Sequence, residues 1–97
     1  MDKNTVAVLI ADVVKSRSRS ELRSLLGRGL AAASREHLKR EWIRLPYAVT
    51  AGDEFQTISI SPASIPEVIL DLRIRLQPLQ LRIGIGYGPG PDRKSVV

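Results

Sequence analysis

Ninety-seven residues, 43% of them hydrophobic, are enough for one globular core and too few for two. The absence of cysteine excludes a disulfide framework and a thiolate metal site, leaving oxygen ligands for any metal chemistry. The longest apolar run, 6–11, falls far short of a membrane span, and residues 1–4 carry no cleavage-site pattern, so the expected compartment is cytoplasmic.

The net charge of +5 is unevenly spread: between Lys15 and Arg44 nine basic residues face three acidic ones. Such a segment attracts phosphates or nucleic acid, or it forms the solvated face of a helix. The first element predicted is a strand over 5–13 (TVAVLIADV), β-branched and apolar on both sides as a central strand should be. Ser18 and Glu21 then have the spacing of a capping box, and the helix that follows carries Leu22, Leu25, Leu26, Leu30 and Ala33 on one stripe to about Lys39. Gly27 and Gly29 inside it each weaken it by about 1 kcal/mol relative to alanine. His37 reads as a helix-end or surface residue and Trp42 as packing.

Two strands over 45–51 and 54–60 flank Gly52-Asp53, a two-residue hairpin turn. Uninterrupted pairing outward from Ala51–Glu54 places Leu45, Tyr47, Val49, Ile58 and Ile60 on the core face, and Ala48, Thr50, Phe55, Thr57 and Ser59 on the other. A second helix starts at Ser61-Pro62 or Ser64-Ile65-Pro66, with Ile65, Val68, Ile69, Leu72 and Leu76 as its apolar stripe and Pro78 as its stop. The last strand, 80–87, alternates Leu81, Ile83, Ile85 and Tyr87 against Arg82, Gly84 and Gly86. One domain over 1–88 is expected, followed by a tail over 89–97.

The order β-α-β-β-α-β is the split βαβ, ferredoxin-like pattern of the α+β class. Right-handed crossovers give a four-stranded antiparallel sheet, order 4-1-3-2, with both helices on one face. The other face is open, and the apolar residues on both sides of the first strand imply that something covers it: a second subunit or a missing C-terminal region. In this topology the end of strand 1, bearing Asp12, meets the hairpin bearing Asp53. Two carboxylates there invite Mg²⁺ or Mn²⁺, with Glu54 as a candidate third oxygen ligand. The following loop and helix N-terminus offer an anion seat with Lys15, Ser16 and Arg17. Read singly, Asp53 is also an ordinary turn residue, and Asp12 is also the partner of an ion pair with Lys15 or Arg17. Gly84 and Gly86 either relieve crowding or let a nucleotide approach the open face.

Three segments together, VLIADVVKSR (8–17), TAGDEFQ (50–56) and LRIGIGYG (81–88), resemble the SatD family of bacterial proteins, with its GD-x-x-x-SR, GDEFQ and R-x-GIG series. More distantly they are similar to class III nucleotide cyclases and GGDEF-type diguanylate cyclases. That resemblance implies a nucleotide-cyclase-like domain, either a metal-dependent cyclase acting as a dimer or a degenerate relative. It matches Asp12 and Asp53 to the metal-binding carboxylates and Gly52 to the hairpin glycine beside the nucleotide. The chain departs from the cyclase pattern at Ala51, where the first glycine of GGDEF would stand, and at Val14, where diguanylate cyclases carry a second acidic residue. Members of the SatD family also continue past this length, which marks the tail as an expected truncation point. The alternative from a different class is a nucleic-acid-binding or regulatory dimerisation module using the open sheet face and the basic helix.

Overall fold

A computed structural model describes residues 5–14 and 19–89. β1 (Thr5–Val14) is followed by α1 (Arg19–Lys39), β2 (Ala48–Ala51), β3 (Glu54–Ile58), a 3₁₀ turn (Pro62–Ser64), α2 (Ile65–Arg75) and β4 (Gln80–Pro89). The sheet is antiparallel in the order β2-β3-β1-β4, the 4-1-3-2 arrangement of a ferredoxin-like α+β fold.

β1 is central because both of its faces are apolar. Leu9, Ala11 and Val13 are buried toward the helices with Leu22, Leu26, Leu30 and Ala33 of α1 and Val68 and Leu72 of α2. Val8, Ile10 and Val14 lie on the opposite, open face and are 36–45% exposed. Of the two serine signals before the second helix, only Ser61 caps through its side chain. Ser61 Oγ accepts from the Ala63 N–H and caps the 3₁₀ turn, and Ser64 occupies the N-cap of α2. Ser18, the expected cap of α1, lies outside the described residues, as do Lys15, Ser16, Arg17 and 90–97. β4 alternates as expected: Leu81 is buried, Ile83 and Ile85 pack against the core, and Arg82, Gly84 and Gly86 are exposed.

The hairpin corrects the sequence reading. Ala51 does face Glu54, and Gly52 takes the left-handed conformation (φ 60°) that a tight turn requires. Thr50, however, is an extra residue, so Val49 pairs with Phe55 and Ala48 with Gln56. The inserted residue leaves Tyr47 where it was expected and brings the alternate residues of β3 round to the same face. Phe55, Thr57 and Ser59 therefore point into the core and Ile60, expected inside, is exposed. Val49, paired with Phe55 on the edge strand, and Leu45, ahead of β2, are also exposed although expected inside. The physical reason is visible at Phe55, the largest side chain that the fold buries completely. With the bulge, both it and Tyr47 reach the core, their rings edge-to-face with centroids 5.9 Å apart. The buried hydroxyls are satisfied locally. Thr57 Oγ1 donates to the Leu45 carbonyl at 2.6 Å, and Ser59 Oγ accepts from the Ala7 N–H at 2.9 Å.

Candidate functional site

The antiparallel register brings three strands to a common end. Asp12, two residues from the end of β1, has Glu54 of β3 as its partner on one side and Arg82 of β4 on the other. Because Ala11 and Val13 point inward, Asp12 stands on the open face, and with Glu54 and Arg82 it forms a single lateral row. Asp53, half-buried, occupies the adjoining turn. Sequence reasoning therefore located the two aspartates at one sheet end as the topology delivers them.

The counter-ion of Asp12 is one that sequence reasoning had not assigned. Arg82 donates from Nε to Asp12 Oδ1 at 3.1 Å and from Nη2 to Oδ2 at 3.0 Å, a two-point fork across the β1–β4 pair. These hydrogen bonds, and then the charges of Asp12 and Asp53, raise the guanidinium's pKa above its usual range. Glu54 is tied differently: its Oε1 accepts from Thr50 Oγ1, the bulge residue, at 2.9 Å. Asp12 and Asp53 thus act on one guanidinium, with Glu54 on the far side of Asp12, and a shallow cavity of about 350 Å³ opens over Ile10, Asp12, Glu54, Arg82 and Gly84. Among the described residues no three of the His, Cys, Asp and Glu side chains converge tightly enough to hold a metal by themselves.

The glycines of β4 keep this face bare. A Cβ on Gly86 would meet nothing within 4 Å, and one on Gly84 would only touch the Ile10 carbonyl oxygen at 3.8 Å. Crowding therefore does not demand glycine at either position. A second, larger depression of about 690 Å³ opens at the same end, below the β1–β4 pair, between Val14, Leu79 and Leu81 and the end of α2. Arg73 reaches across it to donate to the Leu81 carbonyl at 3.2 Å.

The structure also reveals a polar assembly that sequence reasoning missed. His37 is not at the surface but completely buried. Its Nε2 lies 2.5 Å from Asp71 Oδ2, and its Nδ1 lies 2.8 Å from the Tyr47 hydroxyl. Asp71 also accepts from Arg75 Nε at 2.6 Å, and the Tyr47 N–H donates to Ser34 Oγ. The signal was available: His37 continues the stripe Leu26, Leu30, Ala33 at helical spacing, which buries it, and a buried imidazole requires partners. This Tyr–His–Asp series is a latch joining α1, α2 and the entry to β2, not a nucleophile. Burial, helped by the Asp71 charge, drives the Tyr47 hydroxyl far above its ordinary pKa, the reverse of what activation requires. Trp42 packs beside it as expected, its ring 5.2 Å from that of His37.

Among known proteins, no family model matches the chain and no curated sequence matches it, so the SatD-like and cyclase-like resemblance rests on the three segments quoted above.

Proposed function

We propose that this domain binds a phosphate-bearing ligand of the nucleotide class together with Mg²⁺ or Mn²⁺ at the carboxyl end of β1. The supporting observation is the lateral row Glu54–Asp12–Arg82 with Asp53 in the turn beside it. Asp12 and Asp53, with Glu54 adjacent, offer the hard oxygen donors that such ions prefer. Two carboxylates are too few to hold the ion alone, and phosphate oxygens and water complete its shell. When bound, the ion neutralises phosphate charge. Arg82, freed from Asp12, then offers its fork to the phosphate, and Lys15, Ser16 and Arg17 follow β1 directly in the chain. Gly84 and Gly86 leave room on the open face for the rest of the ligand. A SatD-like, degenerate nucleotide cyclase is the family-level form of this reading, and cyclase chemistry is its catalytic form.

The nucleic-acid alternative rests on the open sheet face and the basic helix, and Phe55, the one aromatic expected on that face, is not there to serve it. That ring is buried, and the open face carries no aromatic residue among the described residues on which a base can stack.

Titration calorimetry with ATP, GTP and inorganic pyrophosphate, each with and without Mg²⁺ or Mn²⁺, tests the proposal. Binding is expected only with the divalent ion and is expected to fall roughly tenfold or more in Asp12→Asn, since one of two protein carboxylates is lost. Absence of heat under every condition, or an Asp12→Asn protein indistinguishable from wild type, refutes it.

A further inference from the structure

The two edges of the sheet are built differently. β2, at one edge, has four residues and is interrupted by the bulge at Thr50, both features that discourage pairing with another chain. β4, at the other edge, runs for ten residues in unbroken register with β1. It carries no lysine, its one proline is its last residue, and its one charge, Arg82, is held back over the sheet by Asp12. Among the described residues nothing pairs with its outer side. A long, regular edge without guarding charges, on a fold that guards its other edge, is a surface built to be paired.

We propose that β4 pairs antiparallel with β4 of a second copy of this chain, joining the two sheets into one of eight strands. The sequence of β4 is complementary to itself about a two-fold axis at Ile85. On the helix side Ile85 meets the partner's Ile85, and Ile83 meets the partner's Tyr87, apolar and aromatic cross-strand pairs that favour a sheet. On the open side Gly84 meets the partner's Gly86, and Arg82 meets the partner's Gly88. No like charges are opposed, although each chain carries +5. Tyr87, 56% exposed in the single chain, gains an apolar neighbour. The open faces of the two copies become continuous, with the Asp12–Arg82 sites at opposite ends of one surface.

Sedimentation of the full chain tests this inference independently of any ligand. The wild type is expected to sediment as a dimer. Tyr87→Lys is expected to weaken association roughly tenfold or more by setting an ammonium against the partner's Ile83. Gly86→Lys, at a position where a side chain has open space, is a second disrupting variant that leaves the core untouched. Val49→Lys on the β2 edge is expected to leave the dimer intact. The natural chain has no cysteine, so Ile85→Cys is expected to yield a disulfide-linked dimer under mild oxidation, and Gly27→Cys to yield none. A wild type that stays monomeric at its solubility limit overturns the inference. So does a dimer that survives both lysine variants, or one in which Ile85→Cys fails to cross-link.

Discussion

α1 contains two glycines two positions apart, and the fold assigns them opposite roles. At Gly27 an added Cβ meets nothing within 4 Å, whereas at Gly29 it runs into the Leu76 side chain and nears the Arg75 carbonyl oxygen. Both lie inside a 21-residue helix, so alanine gains about 1 kcal/mol of helix propensity at either position. At Gly27 nothing opposes that gain, and Gly27→Ala is expected to stabilise the domain by about 0.5–1 kcal/mol. At Gly29 the methyl needs space held by Leu76, which is 2% exposed and closed in by the core. Overpacking of that kind costs about 1–3 kcal/mol, enough to outweigh the propensity gain, so Gly29→Ala is expected to be net destabilising. Urea denaturation followed by circular dichroism reads both changes, and each 1 kcal/mol moves the melting temperature of a domain this size by about 4–8 °C. The cause is isolated by a double-mutant cycle. Leu76→Ala, costly in the wild type, is expected to cost less in the Gly29→Ala background because the new methyl occupies part of the vacated space. If Gly29→Ala stabilises as much as Gly27→Ala does, the close approach of α1 to the end of α2 is wrong.

The buried latch and the hairpin bulge carry the remaining predictions. Tyr47→Phe removes the hydroxyl beside His37 Nδ1 and leaves a buried nitrogen unpaired, so denaturation should reveal a loss of about 1–3 kcal/mol. Burial pushes the Asp71 carboxyl up, but hydrogen bonds from Arg75 and His37 outweigh this and hold it below its ordinary value. A depressed carboxylate contributes stability that is complete above its unfolded pKa, near 4, and is lost as the pH falls through the folded value. Acid denaturation of Asp71→Asn should accordingly start from a lower stability at neutral pH and decline less steeply below about pH 4. Phe55→Ala should cost about 3–5 kcal/mol and leave little folded protein, while Val49→Ala, at 53% exposure, should change the melting curve little. The opposite ranking would restore the uninterrupted hairpin register and remove the bulge.

Much of this fold is legible in the chain because most of its elements carry their own periodicity. The apolar run of β1, the stripe Leu22–Leu26–Leu30–Ala33 and the alternation of β4 each fix an element without reference to the others. Once the order β-α-β-β-α-β is known, handedness fixes the strand order and so places Asp12 beside the hairpin. The hairpin itself was misread because its register depends on a single inserted residue, and Thr50 carries no local mark of a bulge. What decides it is the non-local demand to bury Phe55 against Tyr47. The same kind of non-locality hid Arg82 as the partner of Asp12: the two are 70 positions apart in sequence and meet only through the β1–β4 register. His37 differs: its place on the helical stripe predicts burial, while its polarity by itself points to the surface, and the stripe decides.

The fold also keeps its stabilising polar groups apart from its candidate ligand-binding ones. β1 ends, the hairpin turns and β4 begins at one end of the sheet, where Asp12 and Arg82 lie on the open face and Asp53 in the turn beside them. α1 leaves from that end and returns along the covered face, so His37, two residues before its last, lies on the helix side, away from the open face. The Asp12–Arg82 fork is largely solvated, where ion pairs contribute little to stability, and it is therefore free to be exchanged for a ligand at small cost to the fold. In the His37–Asp71–Tyr47 series His37 and Tyr47 are buried and only Asp71 reaches solvent, so a lost partner of His37 destabilises. Sites that share no partners act additively, so a Tyr47→Phe, Asp12→Asn double variant should show the stability loss of the first and the binding loss of the second, with no coupling between them.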